Sequence, residues 1–121
     1  DVPRSTVGVM GITFKENCPD IRNSKVADLV RELQGWNVNV VVTDPWADAQ
    51  EVRDEYGIEL ATIESDHPVD SLIVAVGHRE FREMTPSALL GMCRPGVQPV
   101  LGDLKSLYDR HEAARAGFTV F

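Results

Sequence analysis

The chain has only two cysteines, Cys18 and Cys93, in 121 residues, too few for a disulfide framework. No apolar run approaches the roughly 18–20 residues that a bilayer-spanning helix requires, and no segment has the make-up of a secretory leader. Basic charge is scarce: 12 Lys and Arg stand against 19 Asp and Glu, a net charge of −7, whereas a nucleic-acid binder normally shows a basic face. His67, His78 and His111 are scattered without metal-ligand spacing. Neither nucleic acid, membrane nor metal is therefore expected as a partner, and a reducing, cytoplasmic location is the simplest expectation. The chain also lacks internal repeats, low-complexity stretches and flexible linkers. At 121 residues and 43% hydrophobic content it reads as a single domain, 1–121, large enough to bury about two-thirds of its unfolded surface.

Two phosphate-binding signatures are missing as well. A dinucleotide fingerprint needs G-x-G-x-x-G in a tight turn that opens directly into a helix. Here Gly8 and Gly11 form only G-x-x-G, and the next helix begins a dozen residues later. Glycines placed this way in a strand serve close packing or a bend. The P-loop pattern G-x-x-x-x-G-K-[ST] is absent too.

What the sequence does have is alternation. Val7–Ile12 reads as a strand. Val26, Leu29, Val30 and Leu33 follow the spacing of one buried helix face, with Asn23 or Ser24 as the cap and Gly35 at the end. Asn37–Val42 is a second strand. Asp44-Pro45 reads as a cap followed by proline at the first turn of a helix that runs from Trp46 to Tyr56 and stops at Gly57. Ile58–Leu60 is a possible short strand. Ser71–Val76 is an apolar strand, Thr85-Pro86 opens a short helix to Met92, Val100–Asp103 is a strand, and a helix to about Ala116 leads into Phe118–Phe121. Strands alternating with helices predict an α/β, Rossmann-like three-layer domain with a mostly parallel sheet covered on both faces.

The most informative stretch is Thr13–Asn23, T-F-K-E-N-C-P-D-I-R-N. It exceeds the roughly 2–6 residues usual between a strand and a helix, and α/β folds place ligands at that end of a strand. It carries Lys15 and Arg22, a flexible point charge and a planar fork, which together point to an anion, most simply phosphate. Phe14 can cover a base or sugar ring. The alternative is a solvated loop in which Lys15–Glu16 and Asp20–Arg22 neutralise each other, since exposed ion pairs are common and weak. Ser24 and the amides at the helix start favour an anion. Cys18 lacks a nearby base in the sequence, so a nucleophilic role is not expected; Cys93 reads as core. Asp44 ends the second strand, where a ribose-binding acid can stand, but without a glycine finger capping is the better reading. His78 follows the third main strand, where it can line a crevice. Lys105, after a later strand end, can reach the crevice of Lys15 or can be a solvated helix-start lysine.

G-I-T-F-K-E-N-C-P-D-I-R-N-S-K-V, with D-P-W-A-D and A-V-G-H-R-E-F downstream, resembles the C-terminal domain of the UDP-glucose/GDP-mannose dehydrogenase family. The variant E-N-C-P-D-I-R-N-S is similar to the branch that oxidises UDP-N-acetylhexosamines. The resemblance implies an enzyme that converts the sugar's C6 hydroxyl to a carboxylate with two NAD⁺, through a cysteine-linked thiohemiacetal. It implies an N-terminal NAD-binding domain, a central helical region carrying the catalytic cysteine and much of the contact in a homo-oligomer, and a C-terminal domain that closes over the UDP-sugar. Carried onto this chain, Phe14 and Lys15 are implied as substrate contacts, Arg22 as a cofactor contact reaching NAD across the domain crevice, and Lys105 as a further substrate contact, with Ser106 competing for that position. Neither cysteine lies in a G-G-x-C context, so no catalytic residue is assigned. The chain is expected to be a fragment of a larger dehydrogenase, inactive alone, with NAD bound mainly by the absent N-terminal domain. A free-standing nucleotide- or phosphate-binding module that regulates a partner is the competing reading. A signalling receiver domain is set aside, because Thr13-Phe14-Lys15 and Gly77-His78 stand where it would carry acids.

Overall fold

The computed structural model describes residues 5–63 and 68–121; His67 lies outside them. Five strands, β1 Thr6–Met10, β2 Asn39–Thr43, β3 Ser71–Val74, β4 Val100–Asp103 and β5 Thr119–Val120, pair in parallel throughout. Their order is β2-β1-β3-β4-β5. The helices are α1 Lys25–Gly35, α2 Ala49–Tyr56, α3 Arg79–Arg82, α4 Pro86–Leu90 and α5 Arg110–Ala116.

Three helix starts follow local chemistry. Asp48, Thr85 and Asp109 each accept an amide proton of the first turn, from Glu51, Ala88 and Glu112, which satisfies donors that a helix start leaves free. α2 ends at Gly57 in the left-handed region, φ +68°, where glycine avoids the Cβ penalty. α1 departs from expectation. Ser24 occupies its cap position, yet its hydroxyl makes no cap hydrogen bond and is buried without a partner. Its amide donates instead to the Tyr56 hydroxyl.

Alternate strand residues point to opposite faces, and two cores form accordingly. Val9, Val42 and Ile73 are register partners and face α1 and α2 through Ala27, Val30 and Val52. Leu72 and Leu101, also partners, face Phe81 of α3, Leu89 of α4 and Ala113 of α5. The sheet is thus covered on both sides, as the sequence pattern predicts. Fully buried leucines such as Leu72, Leu89 and Leu101 contribute ~1.5–3 kcal/mol each.

The two early glycines are packing devices. A Cβ on Gly8 would come within 2.7 Å of Ile63 Cδ1, and one on Gly11, at φ +102°, within 2.6 Å of Val76 Cβ. Two elements are shorter than their sequence patterns. β3 stops at Val74; Ala75 still donates to the Met10 carbonyl at 2.9 Å, and Val76 packs on Gly11. Leu60 makes only an isolated bridge to Val42 in place of a strand. α3 is an addition that a four-residue turn of mixed polarity did not announce.

Candidate functional site

The chain leaves β1 for β2 on one side and returns to β3 on the other, so β1 and β3 flank a topological switch point. Beyond the carboxyl ends of such strands an open α/β sheet forms its ligand crevice. A cleft of about 400 Å³ lies there, built from Thr13, Phe14, Lys15 and Glu16 after β1, Ala75 and Val76 after β3, Leu104 and Lys105 after β4, and Asn23, Lys25, Val26 and Leu29 at the start of α1. It brings together three of the four residues picked from the sequence, Phe14, Lys15 and Lys105, and adds Lys25. Ser106 is not among the lining residues. None of the three lysines forms an ion pair with a carboxylate among the described residues. Phe14 is 61% exposed and Leu104 58%, so the cleft has an apolar rim open to solvent.

Arg22 lies elsewhere, beside Ile21, Glu51, Asp54 and Glu55. Its fork is spent on Asp20, at 3.0 Å from Nε and 2.9 Å from Nη2. The Arg22 guanidinium and amide hold the Asp20 carboxyl down at about 2. Half of the solvated-loop alternative is therefore realised, at Asp20–Arg22. The Lys15–Glu16 half is not among the ion pairs of the described residues.

The loop's shape is set by a buried polar cluster. Asp44 Oδ2 accepts from the amides of Ile12 (2.7 Å) and Thr13 (3.2 Å) and lies 2.9 Å from His78 Nε2. Its Oδ1 accepts from the amides of Trp46 (2.7 Å) and Ala47 (3.1 Å). Burial pushes the Asp44 carboxyl up, but the His78 hydrogen bond and the Ile12 and Trp46 amides outweigh it and hold the group below the usual carboxylate range. Asp44 does cap a turn, yet it does not start α2; that role falls to Asp48. His78 does not line the crevice. It is wholly buried, between Trp46 and Phe81. The loop closes on itself through Phe14 N to Asp20 O, 2.7 Å. Lys105 stands on a braced turn too, since the Asp103 carboxylate accepts from the amides of Leu107 and Tyr108, both at 2.9 Å.

The domain lacks the open glycine turn of a dinucleotide fingerprint among the described residues. Its early glycines are filled against by Ile63 and Val76 where a pyrophosphate would need open backbone, and the acid after β2 is buried with every oxygen engaged. The cysteines are free. Cys93 is buried, and that burial raises its thiol to about 11, unsuited to a nucleophile. No group of metal-binding side chains occurs among the described residues, and no helix among them is long and apolar enough to cross a membrane.

Comparison with known proteins identifies the family. Residues 8–110 match the sequence model of the UDP-glucose/GDP-mannose dehydrogenase family, UDP binding domain. A UDP-N-acetyl-D-glucosamine 6-dehydrogenase of Salmonella typhi is 46% identical over 106 residues, 87% of this chain and 24% of that protein. One of Pseudomonas aeruginosa is 43% identical over 112 residues, 93% of this chain and 26% of that protein. The crystal structure of an NDP-N-acetyl-D-galactosaminuronic acid dehydrogenase from Methanosarcina mazei Go1 superposes with a TM-score of 0.79 at 21% identity, over 98% of this chain and 24% of that one; at that identity it shows the fold alone. The chain spans about a quarter of the length of the curated relatives it matches. It belongs to the UDP-glucose/GDP-mannose dehydrogenase family, as its UDP binding domain.

Proposed function

We propose that the cleft between β1 and β3 is the UDP-sugar half of an interdomain site in an NAD-dependent 6-dehydrogenase, acting on a UDP-N-acetylhexosamine. One observation carries the reading: three lysines without carboxylate partners among the described residues surround a single cleft in a chain of net charge −7. A diphosphate supplies the missing negative charge, and lysines meet it as point charges on flexible stems. Phe14, held out at the rim, offers a face to the uracil or a sugar ring. The names of the relatives at 46% and 43% identity favour the acetylated hexosamine as the sugar.

The chain's own part is to bind and orient. Oxidation at C6 needs a nucleophile and a hydride acceptor. We assign the nucleophile to the remainder of the parent enzyme, because Cys93 is buried with a raised thiol and no hydrogen bond joins Cys18 to a base among the described residues. NAD accepts the hydride when bound, and the domain's geometry fits a role opposite the NAD site, not as that site. Arg22, on the far limb of the same loop, is the group we assign to the cofactor, after release from Asp20.

The test uses this 121-residue chain. It should bind UDP, more weakly as salt rises because exposed charges are screened, and produce no NADH from a UDP-sugar and NAD⁺. Steady NADH production by this chain alone would refute the division of labour, and absence of UDP binding in low salt would refute the cleft assignment.

A further inference from the structure

We propose that His78 is the positioning residue of the ligand loop: a buried imidazole that holds both ends of Thr13–Asn17 and so aims Phe14 and Lys15 into the cleft. The inference rests on the cleft being the UDP site. Its physical content is a set of hydrogen bonds that converge on one ring from segments far apart in sequence. At the near end, Nε2 lies 3.1 Å from Thr13 Oγ1, and that hydroxyl is 2.9 Å from the Lys15 carbonyl. At the far end, Nδ1 lies 3.0 Å from the Asn17 amide nitrogen. The Asn17 side chain then accepts from the Arg79 amide at 2.7 Å. Asn17 is thus fastened to two consecutive residues after β3, in a left-handed conformation (φ +54°) that a non-glycine residue holds only against a conformational cost.

The bonding pattern fixes the ring's proton. An amide only donates, so Asn17 N–H requires a lone pair on Nδ1. The Asp44 carboxylate accepts at Nε2, 2.9 Å away, so the proton sits there. Thr13 spends its own proton on the Lys15 carbonyl and turns a lone pair to Nε2, which shares its proton between the two acceptors. The ring is neutral and both nitrogens are engaged. Asp44 joins this ring to the amides that follow β1 and β2, so the C-terminal ends of β1, β2 and β3 are locked together under the loop. Phe14, Lys15 and Glu16 are the exposed residues between the two anchored ends.

Two variants, alone and combined with Lys15→Ala, test this by UDP titration and amide exchange on the 121-residue chain. His78→Phe keeps an aromatic ring between Trp46 and Phe81 while removing both anchors; Asn17→Ala loosens the far end at the surface without entering the buried cluster. Each is expected to weaken UDP binding about tenfold or more and to speed exchange at the Phe14 and Asn17 amides. Combined with Lys15→Ala, each should add little beyond the Lys15→Ala loss, because residues that act through one another are not additive. The imidazole nitrogen spectrum at neutral pH should show the proton on Nε2. Unchanged UDP affinity in a folded variant, additive losses, or a proton on Nδ1 would overturn the proposal. If His78→Phe does not fold, Asn17→Ala decides by the same criteria. If the unmodified chain binds no UDP, the cleft reading fails, and positioning is then judged on exchange alone: faster Phe14 and Asn17 exchange supports it, and unaltered exchange overturns it.

Discussion

The two limbs of the loop between β1 and α1 each carry one cation, and they treat it in opposite ways. On the first limb Lys15 has no carboxylate partner among the described residues; its backbone is tied to Thr13 and its neighbours to buried His78. On the second limb Arg22 is 83% exposed in its side chain, and its fork closes on Asp20 at 2.9 Å. A charge alone is no sign of a binding site. A charge left unneutralised on a backbone braced from the core is ready for a ligand, whereas one already paired must first exchange its partner. The rigid limb is suited to fixing a substrate, and the paired limb to a contact made only when another domain or ligand arrives.

The comparison breaks most forcefully at Asp44. Asp44→Ala strands His78 and four amide donors and should cost ~3 kcal/mol or more in chemical denaturation, because each buried donor left unsatisfied costs ~1–3 kcal/mol. Asp20→Asn, on the other limb, should leave the denaturation midpoint unmoved. Acid should reveal the same contrast. The folded-state pKa of Asp44 is depressed, so its ionised form stabilises the fold fully above the unfolded value of about 3.9. That contribution is lost as pH falls through the lower folded value. Asp44→Asn should flatten this acid limb.

Gly11→Ala comes next. It sets a Cβ 2.6 Å from that of Val76 at φ +102° and should cost ~1–3 kcal/mol, while also shifting the residues that lead into the ordered limb. Lys15→Ala should then weaken UDP binding by a factor of ten or more with little change in stability, measured by titration calorimetry and thermal melting. Arg22→Ala gives the smallest effect on this chain: UDP affinity and melting temperature should both stay put, and a loss should emerge only as weaker NAD binding in the full-length parent.

Much of this was legible in the sequence, for reasons that differ by element. β4 matches its predicted bounds, Val100–Asp103, because a short apolar run ends at residues that cap the next turn. The cleft residues Phe14, Lys15 and Lys105 were legible from loop length and strand ends, since topology places those ends together. Lys25 was missed, hidden as the first residue of an ordinary amphipathic helix. The Asp44–His78 pair was misjudged on both sides. D-P-W reads locally as a helix cap, and a histidine after an apolar strand reads as a crevice residue. The hydrogen bonds that tie them to each other and to the loop span 31 to 65 positions, and no local pattern encodes such a meeting. The one available signal was the apolar run S-L-I-V-A-V-G that delivers His78 to the sheet's end without a polar break.

The central claim, that the braced limb holds the substrate and the paired limb does not, is tested most directly by titrating UDP into the isotope-labelled chain and following its backbone amide resonances. The account predicts shifts concentrated at Thr13–Glu16, Lys25 and Lys105, with Arg22 and its neighbours Glu51, Asp54 and Glu55 unmoved. Shifts centred on Arg22 and those acids, with Lys15 and Lys105 silent, would contradict it.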